Sequence, residues 1–178
     1  MLFRSLSGLP EKLVAKRTGD ERAPKRRPAP VSDPSPHMEE ITVNLGPRSY
    51  PILVGVGALR SVGTRLSALG SGRRTALLSD QSVMALYGPT VHESLRASGF
   101  SVTEIVVPEG ERAKTLAVAE RCWDECLGAG LDRTSTLLAL GGGAVGDLAG
   151  FVAATYMRGI PFVQLPTKIG RASCRERV

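Results

Sequence analysis

The hydrophobic positions along residues 41–166 fall into short apolar runs separated by segments with helical spacing. The runs predict strands at 75–80, 101–107, 135–141 and 161–166. Between them, segments of roughly 12–17 residues place apolar side chains three or four positions apart, which is typical of helices. Strands that alternate with helices in this way predict a parallel sheet with right-handed crossovers.

Two further runs precede this alternation. The segments ITVNL at 41–45 and YPILVG at 50–55 flank a proline-containing turn and predict an antiparallel strand pair. The predicted fold class is therefore α/β, a parallel sheet with flanking helices, preceded by an antiparallel pair.

The apolar spacing predicts four helices, and glycine or proline marks the ends of several. In the second, Gly88-Pro89 is expected to break or restart the helix, because proline removes a backbone donor. The predicted helices span residues 58–70, 83–99, 114–130 and 144–157.

The two ends of the chain differ from the middle. Residues 1–37 hold six of the twelve prolines and a basic cluster, and we interpret them either as a disordered extension or as an upstream over-reading of a protein that starts at Met38. Residues 168–178 lack strand or helix periodicity. Residues 169–178 resemble the translation of a common sequencing adapter, so we expect an artefactual tail. The middle, 38–167, is predicted to be one domain.

The distribution of charge argues against nucleic acid as a partner. The net charge of +6 divides into +4 for residues 1–37, +3 for residues 168–178 and −1 for residues 38–167. No apolar stretch is long enough to cross a membrane. Cys122 and Cys126 lie four apart on one predicted helix, and we interpret them as reduced thiols of a cytoplasmic protein.

The stretch LALGGGAVGD, residues 138–147, is the main candidate for chemistry. Bare backbone at the start of a helix can bind a pyrophosphate through its N–H groups. Gly141, Gly143 and Gly146 fit a G-x-G-x-x-G pattern, but the pattern follows a late strand and has no acidic residue about twenty positions downstream. A tight strand-to-helix turn without a ligand is the alternative.

Three other stretches carry polar groups near predicted element ends. In VVPEGERAKT, Glu111 and Lys114 are expected on one face where a helix begins, as ribose and phosphate contacts or as solvated charges. Asp80 is a helix N-cap candidate or, with Ser82, an adenosine-side contact. Arg158 is expected beside the glycine-rich stretch at 138–147, here called the phosphate cradle, where it would bind an anion, or simply as a cation at a helix end.

Taken together, PEGERAK, ALGGGAVGDLAGFVAATYMRG and FVQLPT resemble the N-terminal domain of the 3-dehydroquinate synthase family over about residues 38–167. The resemblance implies a Rossmann-like, NAD-binding domain, followed in the family by a helical domain with the metal and most substrate groups. It implies conversion of 3-deoxy-D-arabino-heptulosonate 7-phosphate to 3-dehydroquinate and phosphate in the shikimate pathway, with catalytic NAD and a divalent metal (zinc or cobalt), in a cytoplasmic homodimer.

The resemblance also implies roles for individual residues. Arg158 matches a substrate-binding arginine, and Ser82 departs from the asparagine that is commoner at its position. The matched cofactor-binding positions are Asp80, Ser82, Glu111, Lys114, Gly142, Gly143, Ala144, Asp147 and Thr167.

The family pattern that follows the Pro-Thr pair at 166–167 is not found here. His37 and His92 match no metal ligand, so no metal site is assigned, and no catalytic residue is assigned either. We therefore expect this chain to be inactive by itself and poorly soluble. The alternatives left open are another sugar-phosphate cyclase, a glycerol-dehydrogenase-type NAD enzyme and a non-catalytic nucleotide-binding module.

Overall fold

A computed structural model of the chain describes residues 38–167. The predictions for residues 1–37 and 168–178 lie outside the described residues. Within them, the α/β fold with a parallel sheet and a preceding antiparallel pair is confirmed.

The antiparallel pair consists of strands β1 (Glu39–Val43) and β2 (Tyr50–Val54). Its register places Ile41 opposite Ile52. Strand β1 begins at Glu39, two residues before the apolar run at 41–45 that predicted it. A short 3-10 turn, Gly46–Arg48, joins the strands, and Gly46 there has a φ of 61°, which glycine adopts without strain.

The main sheet has four parallel strands in the order β4-β3-β5-β6. Each connection crosses over through a helix, as parallel pairing requires. The strands are β3 (Arg74–Asp80), β4 (Ser101–Val107), β5 (Thr136–Gly141) and β6 (Phe162–Pro166). The helices are α1 (Val62–Ala68), α2 (Gln81–Ala97), α3 (Leu116–Gly128) and α4 (Gly143–Thr155).

The unbroken apolar sequence of β5 follows from its central position. All six of its residues are buried, and successive side chains face opposite layers. Leu137 and Ala139 belong to the apolar cluster that includes residues of α3 and α4, whereas Leu138 and Leu140 belong to the cluster with α1 and α2. The helices on both sides of the sheet therefore hold β5 in position, and the glycine turn follows directly at its end.

Two helix predictions need correction. The segment predicted as one helix at 58–70 is a 3-10 turn, Ala58–Ser61, followed by α1, which ends before Leu69 and leaves that side chain exposed. Helix α2 continues through Pro89 instead of breaking there. Both Pro89 and Ala85 are exposed, so the carbonyl that loses its helical donor can be hydrated.

The two cysteines of α3 are free and fully buried. Burial raises the pKa of Cys122 to about 11 and that of Cys126 to about 12, because the charged thiolate is poorly solvated there. Both are therefore protonated, unreactive core residues at neutral pH.

Candidate functional site

The turn from β5 to α4 sits at the carboxyl edge of the sheet and is built for close approach. A Cβ on Gly141 would lie 2.9 Å from the Cβ of Val145, which packs directly against it. A Cβ on Gly143 would meet no atom within 4 Å, so that position opens away from the protein. One glycine therefore serves packing, and the other leaves free space beside the backbone.

The start of α4 has unused backbone donors. Gly142 precedes the helix in an extended conformation and provides no side-chain cap. The N–H of Gly146 bonds to the carbonyl of Gly142 at 3.0 Å, so the N–H groups of Gly143, Ala144 and Val145 come before the first intrahelical bond. Three backbone donors are thus left at the positive end of the helix dipole, an arrangement that suits an anion.

Lys114 lies beside this turn and joins two elements. Its Nζ is 3.0 Å from Glu111 Oε1 and 3.0 Å from Asp147 Oδ2 in the first turns of α4. The hydrogen bonds that the Lys114 ammonium donates to Glu111 and, with a smaller effect, to Asp147 raise the pKa of Lys114 above its ordinary value. The predicted grouping of Glu111 with Lys114 on one face is confirmed, although the segment there is a 3-10 turn, Gly110–Ala113, and α3 begins only after the N-cap Thr115.

Thr167 follows β6 at the same edge. Its N–H donates to the carbonyl of Gly141 at 3.1 Å, which extends the β5–β6 pairing past the strand end. Its hydroxyl is buried and has no hydrogen-bond partner within the described part of the chain. A buried hydroxyl without a partner costs about 1–3 kcal/mol, so a polar ligand at this edge would relieve an existing penalty.

The loop after β3 completes the edge. Asp80 Oδ1 accepts the N–H of Val83 at 2.9 Å, so the N-cap interpretation of Asp80 is confirmed. The Ser82 hydroxyl donates to the carboxylate of Glu109, in the loop after β4. Glu109 was missed from the sequence, because nothing in the spacing of PEGERAK distinguishes it from the exposed Glu111.

An apolar groove of about 300 Å³ adjoins the Lys114–Asp147 ion pair. Leu116 and Phe151 line it, and they are 74% and 45% exposed. They were also missed, because their positions in an amphipathic pattern look like ordinary helix-face residues. The remaining lining residues are Thr115, Ala119 and Leu148.

Arg158 does not join this group. It follows α4, whose 13 residues span about 20 Å at 1.5 Å per residue and return the chain to the amino edge of the sheet. The expectation that Arg158 lies beside the cradle is therefore wrong for a single chain. The chain enters the turn with Met157 and Arg158 at φ values of 48° and 70°, left-handed conformations that non-glycine residues rarely adopt.

This turn is held in place by buried neighbours. Tyr156 is buried, and its hydroxyl donates to the carbonyl of Leu131 at 2.9 Å. The N–H of Ile160 donates to the carbonyl of Ala153 at 2.9 Å. Arg158 itself is exposed and makes no hydrogen bond or ion pair with other residues in 38–167.

Among residues 38–167, no three histidine, cysteine, aspartate or glutamate side chains are grouped so that they could hold a metal ion. His92 faces Glu104 instead, with Nε2 2.7 Å from Oε1. No helix within the described range is long and apolar enough to cross a membrane.

Sequence comparison identifies the relatives. Residues 104–172 match the model of the 3-dehydroquinate synthase N-terminal family. The chain is 54% identical over 132 residues to the 3-dehydroquinate synthase of Pelotomaculum thermopropionicum, covering 74% of this chain and 36% of that protein. The corresponding enzyme of Desulforamulus reducens is 52% identical over 132 residues, with 74% and 37% covered. The resemblance to this family is confirmed, and the chain spans about a third of the length of the curated relatives it matches.

Solved structures give the same fold. A 2-deoxy-scyllo-inosose synthase superposes with a TM-score of 0.65 at 23% identity, over 72% of this chain and 35% of that one. The 2-epi-5-epi-valiolone synthase ValA of Streptomyces hygroscopicus, solved with NAD+ and Zn2+, superposes with a TM-score of 0.54 at 26% identity, over 63% and 31%. The Rossmann-like architecture predicted from the family resemblance is therefore confirmed.

Proposed function

Because the chain matches the N-terminal part of 3-dehydroquinate synthases, we propose that residues 38–167 are the NAD-binding domain of such an enzyme. The parent protein would convert 3-deoxy-D-arabino-heptulosonate 7-phosphate to 3-dehydroquinate and phosphate, as a carbon–oxygen lyase of the shikimate pathway. Because the chain covers only 36% of its relative from Pelotomaculum thermopropionicum, this activity is proposed for the parent protein and not for the chain by itself.

The observation that carries the proposal is the carboxyl edge itself. Three N–H groups at the start of α4 precede the first intrahelical bond, a Cβ on Gly143 there would meet no atom within 4 Å, and the buried Thr167 hydroxyl lacks a partner among the described residues. A dinucleotide offers pyrophosphate oxygens for the first group and further polar atoms for the second. The residues present therefore fit NAD.

Different parts of NAD are assigned to different residues of the carboxyl edge. We assign the pyrophosphate to the turn at Gly142, Gly143 and Ala144. Lys114, held between Glu111 and Asp147, supplies a positive charge whose position is set on two sides. Asp80 and Ser82 lie at the neighbouring strand end and are assigned to the adenosine side, in a loop that the Ser82–Glu109 hydrogen bond fixes to the next one.

Bound NAD would supply a transient oxidation of a substrate alcohol, which makes the neighbouring C–H acidic enough for phosphate elimination. This chain's own contribution is to hold and place the cofactor. The groove lined by Leu116 and Phe151 provides an apolar surface next to the Lys114 charge, where an uncharged ring or carbon chain would be favoured over water.

The divalent metal expected from the family does not fit the described residues, because residues 38–167 contain no ligand cluster. We derive no step through it. Turnover by the 178-residue chain alone is therefore not expected.

The role of Arg158 stays a prediction. At the amino edge, about one helix length from the Gly143 turn, it cannot reach a substrate held by that turn in its own chain. A substrate-binding role would require another chain or a region outside the described residues to bring the two together.

The test is thermal unfolding of the chain with and without NAD. Ligand at about 100 times its dissociation constant adds about 2.7 kcal/mol to the free energy of unfolding, which raises Tm by several degrees for a domain of this size. Adenosine monophosphate at the same concentration should give a smaller shift, because it lacks the pyrophosphate. An NAD curve that coincides with the ligand-free curve would refute the NAD-binding proposal.

A second candidate is another sugar-phosphate cyclase. The 26% identity to the valiolone synthase is half the identity to 3-dehydroquinate synthases, which favours the first assignment. Purified parent protein offered the heptulosonate phosphate and other sugar phosphates separates the two by phosphate release. A cytoplasmic location, the absence of nucleic acid or membrane partners and a homodimeric parent likewise stay predictions.

A further inference from the structure

A second cavity lies beside the later turns of α2, and we call it the α2 cleft. Arg60, in the 3-10 turn Ala58–Ser61, lines one side of it. The residues that line the other side lie three or four positions apart, on one face of the helix: Thr90, Glu93, Ser94 and Ala97. Its volume of about 230 Å³ equals that of roughly eight water molecules at about 30 Å³ each, so it suits a very small ligand.

The two sides of the α2 cleft are fixed to each other. The Ser94 hydroxyl donates to the carbonyl of Arg60 at 2.7 Å and accepts the N–H of Gly63 at 2.9 Å. A Cβ on Gly63 would collide with the carbonyl oxygen of Ser94, so the start of α1 touches the backbone of α2 directly. The cleft is therefore formed before any ligand arrives, and binding requires little ordering of the backbone.

Three polar side chains around the α2 cleft have no partner within residues 38–167. The Arg60 guanidinium and the Glu93 carboxylate form no ion pair with each other or with another described residue, and the Thr90 hydroxyl makes no hydrogen bond there. By contrast, Arg65 of α1 and His92 of α2 each lie against a carboxylate. One cleft thus offers a cation, an anion and a hydroxyl.

We propose that the α2 cleft binds a free α-amino acid with a short side chain. The carboxylate of the amino acid would lie against the Arg60 guanidinium, whose planar donors bind both oxygens of a carboxylate. Its ammonium group would donate to Glu93. The Thr90 hydroxyl can donate to the carboxylate or accept from the ammonium group, so every polar group of the cleft has a use.

Other small ligands use less of the α2 cleft. An inorganic anion would match Arg60 and be repelled by Glu93, whereas a metal cation or a simple amine would match Glu93 and be repelled by Arg60. A zwitterion matches both charges at once, and the small volume favours a side chain of only a few atoms.

The α2 cleft is separate from the carboxyl edge. Asp80 at the N-cap and Thr90 are ten positions apart, which is about 15 Å along α2 at 1.5 Å per residue. An amino acid in the cleft would therefore not compete with a dinucleotide at the carboxyl edge, and its binding can be measured without NAD.

The test is ligand-observed saturation-transfer NMR of the 178-residue chain with L-alanine. We expect saturable binding in the millimolar range, because so small a ligand makes few contacts. N-acetyl-L-alanine lacks the ammonium group and L-alaninamide lacks the carboxylate, so each should bind at least tenfold more weakly.

Variants locate the binding. Arg60→Gln and Glu93→Gln should each weaken L-alanine binding at least tenfold. Arg96→Gln and Glu120→Gln are the matched controls, because they remove the same charges at exposed positions outside the α2 cleft, and both should bind like the unmodified chain.

A further variant keeps the test decisive. Ala97→Leu changes no charge but fills the α2 cleft, so it should also abolish binding, and thermal unfolding shows whether each variant is folded. No saturable binding of L-alanine in the millimolar range, equal binding of the two analogues, or equal loss in the control variants would each overturn the proposal. None of these readouts depends on NAD.

Discussion

The two edges of the parallel sheet differ in what they leave unsatisfied. The carboxyl edge carries backbone N–H groups at the start of a helix, a buried hydroxyl without a partner among residues 38–167 and a lysine between two carboxylates. At the amino edge, Met157 and Arg158 form a left-handed turn. Residues that are close in the sequence motif are therefore separated by the length of α4, and we assign the dinucleotide to the carboxyl edge.

Residues within one continuous block of sequence can therefore have unrelated roles. Gly141 and Arg158 are 17 residues apart in a continuous motif, but a β–α unit sends its start and its end to opposite edges of the sheet. A ligand at the carboxyl edge is contacted by residues that follow strands, and residues that follow helices must serve something else.

The largest expected effect comes from Gly141→Ala at the carboxyl edge. The added Cβ would lie 2.9 Å from the Cβ of Val145, so α4 or β5 must shift. We expect a loss of about 1–3 kcal/mol in the free energy of unfolding, measured by urea titration, together with loss of NAD binding. Gly128→Ala is the control, because a Cβ there meets nothing within 4 Å. Equal urea midpoints for the two variants would show that the packing of Val145 does not require glycine.

Gly143→Ala should separate binding from stability. The methyl group has room in the free protein and should leave Tm nearly unchanged, but it would occupy the space assigned to pyrophosphate. We expect the dissociation constant for NAD to rise at least tenfold, about 1.4 kcal/mol. If Tm falls as far as in Gly141→Ala, the space beside Gly143 cannot accommodate a methyl group and the prediction is wrong.

Lys114→Met should weaken NAD binding several-fold with little loss of stability. Its ion pairs are partly solvated, so their removal should cost less than about 1 kcal/mol. Arg65→Met, which removes the ion pair to Glu40, is the control for loss of a surface charge. Equal NAD affinity in the two variants would show that Lys114 does not contribute to NAD binding.

The pH dependence of stability above neutral pH follows from four groups with raised pKa. Lys114 is stabilised in its charged form, and Cys122, Cys126 and Tyr156 in their neutral forms. For each, the contribution to stability is fully present below the pKa of the unfolded state and is lost as pH rises through the folded value. Urea midpoints should therefore stay level from about pH 7 to about pH 8.5 and fall above that, and Lys114→Met should change the decline only above about pH 10.4. A decline that begins near neutral pH would contradict this assignment.

The smallest effect is expected at the amino edge. Arg158→Ala should leave both Tm and the affinity for NAD unchanged, because Arg158 makes no hydrogen bond or ion pair with other residues in 38–167 and lies away from the cradle. Isothermal titration with NAD checks this. A loss of affinity comparable to that of Gly143→Ala would show that Arg158 takes part in NAD binding and would contradict its assignment to the amino edge.

The sequence predicts the sheet well, and most directly at its central strands β3 and β5, which are buried on both sides. The run at 101–107 coincides with β4, and the all-apolar run of β5 reports directly on its two helical layers. Pro89 was misjudged because the cost of proline in a helix depends on whether the freed carbonyl is hydrated, which local sequence does not reveal.

The site was predictable in part. Backbone conformation is encoded locally, so the glycine turn and the Asp80 cap could be found from residue types. The Lys114–Asp147 pair joins segments 33 residues apart, and the unpaired Thr167 hydroxyl depends on burial. Such features, like the α2 cleft, exist only after the chain has packed.

Isothermal titration of NAD into the unmodified chain, Gly143→Ala and Arg158→Ala shows whether NAD binds at the Gly143 turn. We expect one NAD per unmodified chain, the same affinity for Arg158→Ala, and at least tenfold weaker binding for Gly143→Ala at unchanged Tm. Equal affinities for the unmodified chain and Gly143→Ala, or no binding to any of the three, would contradict it.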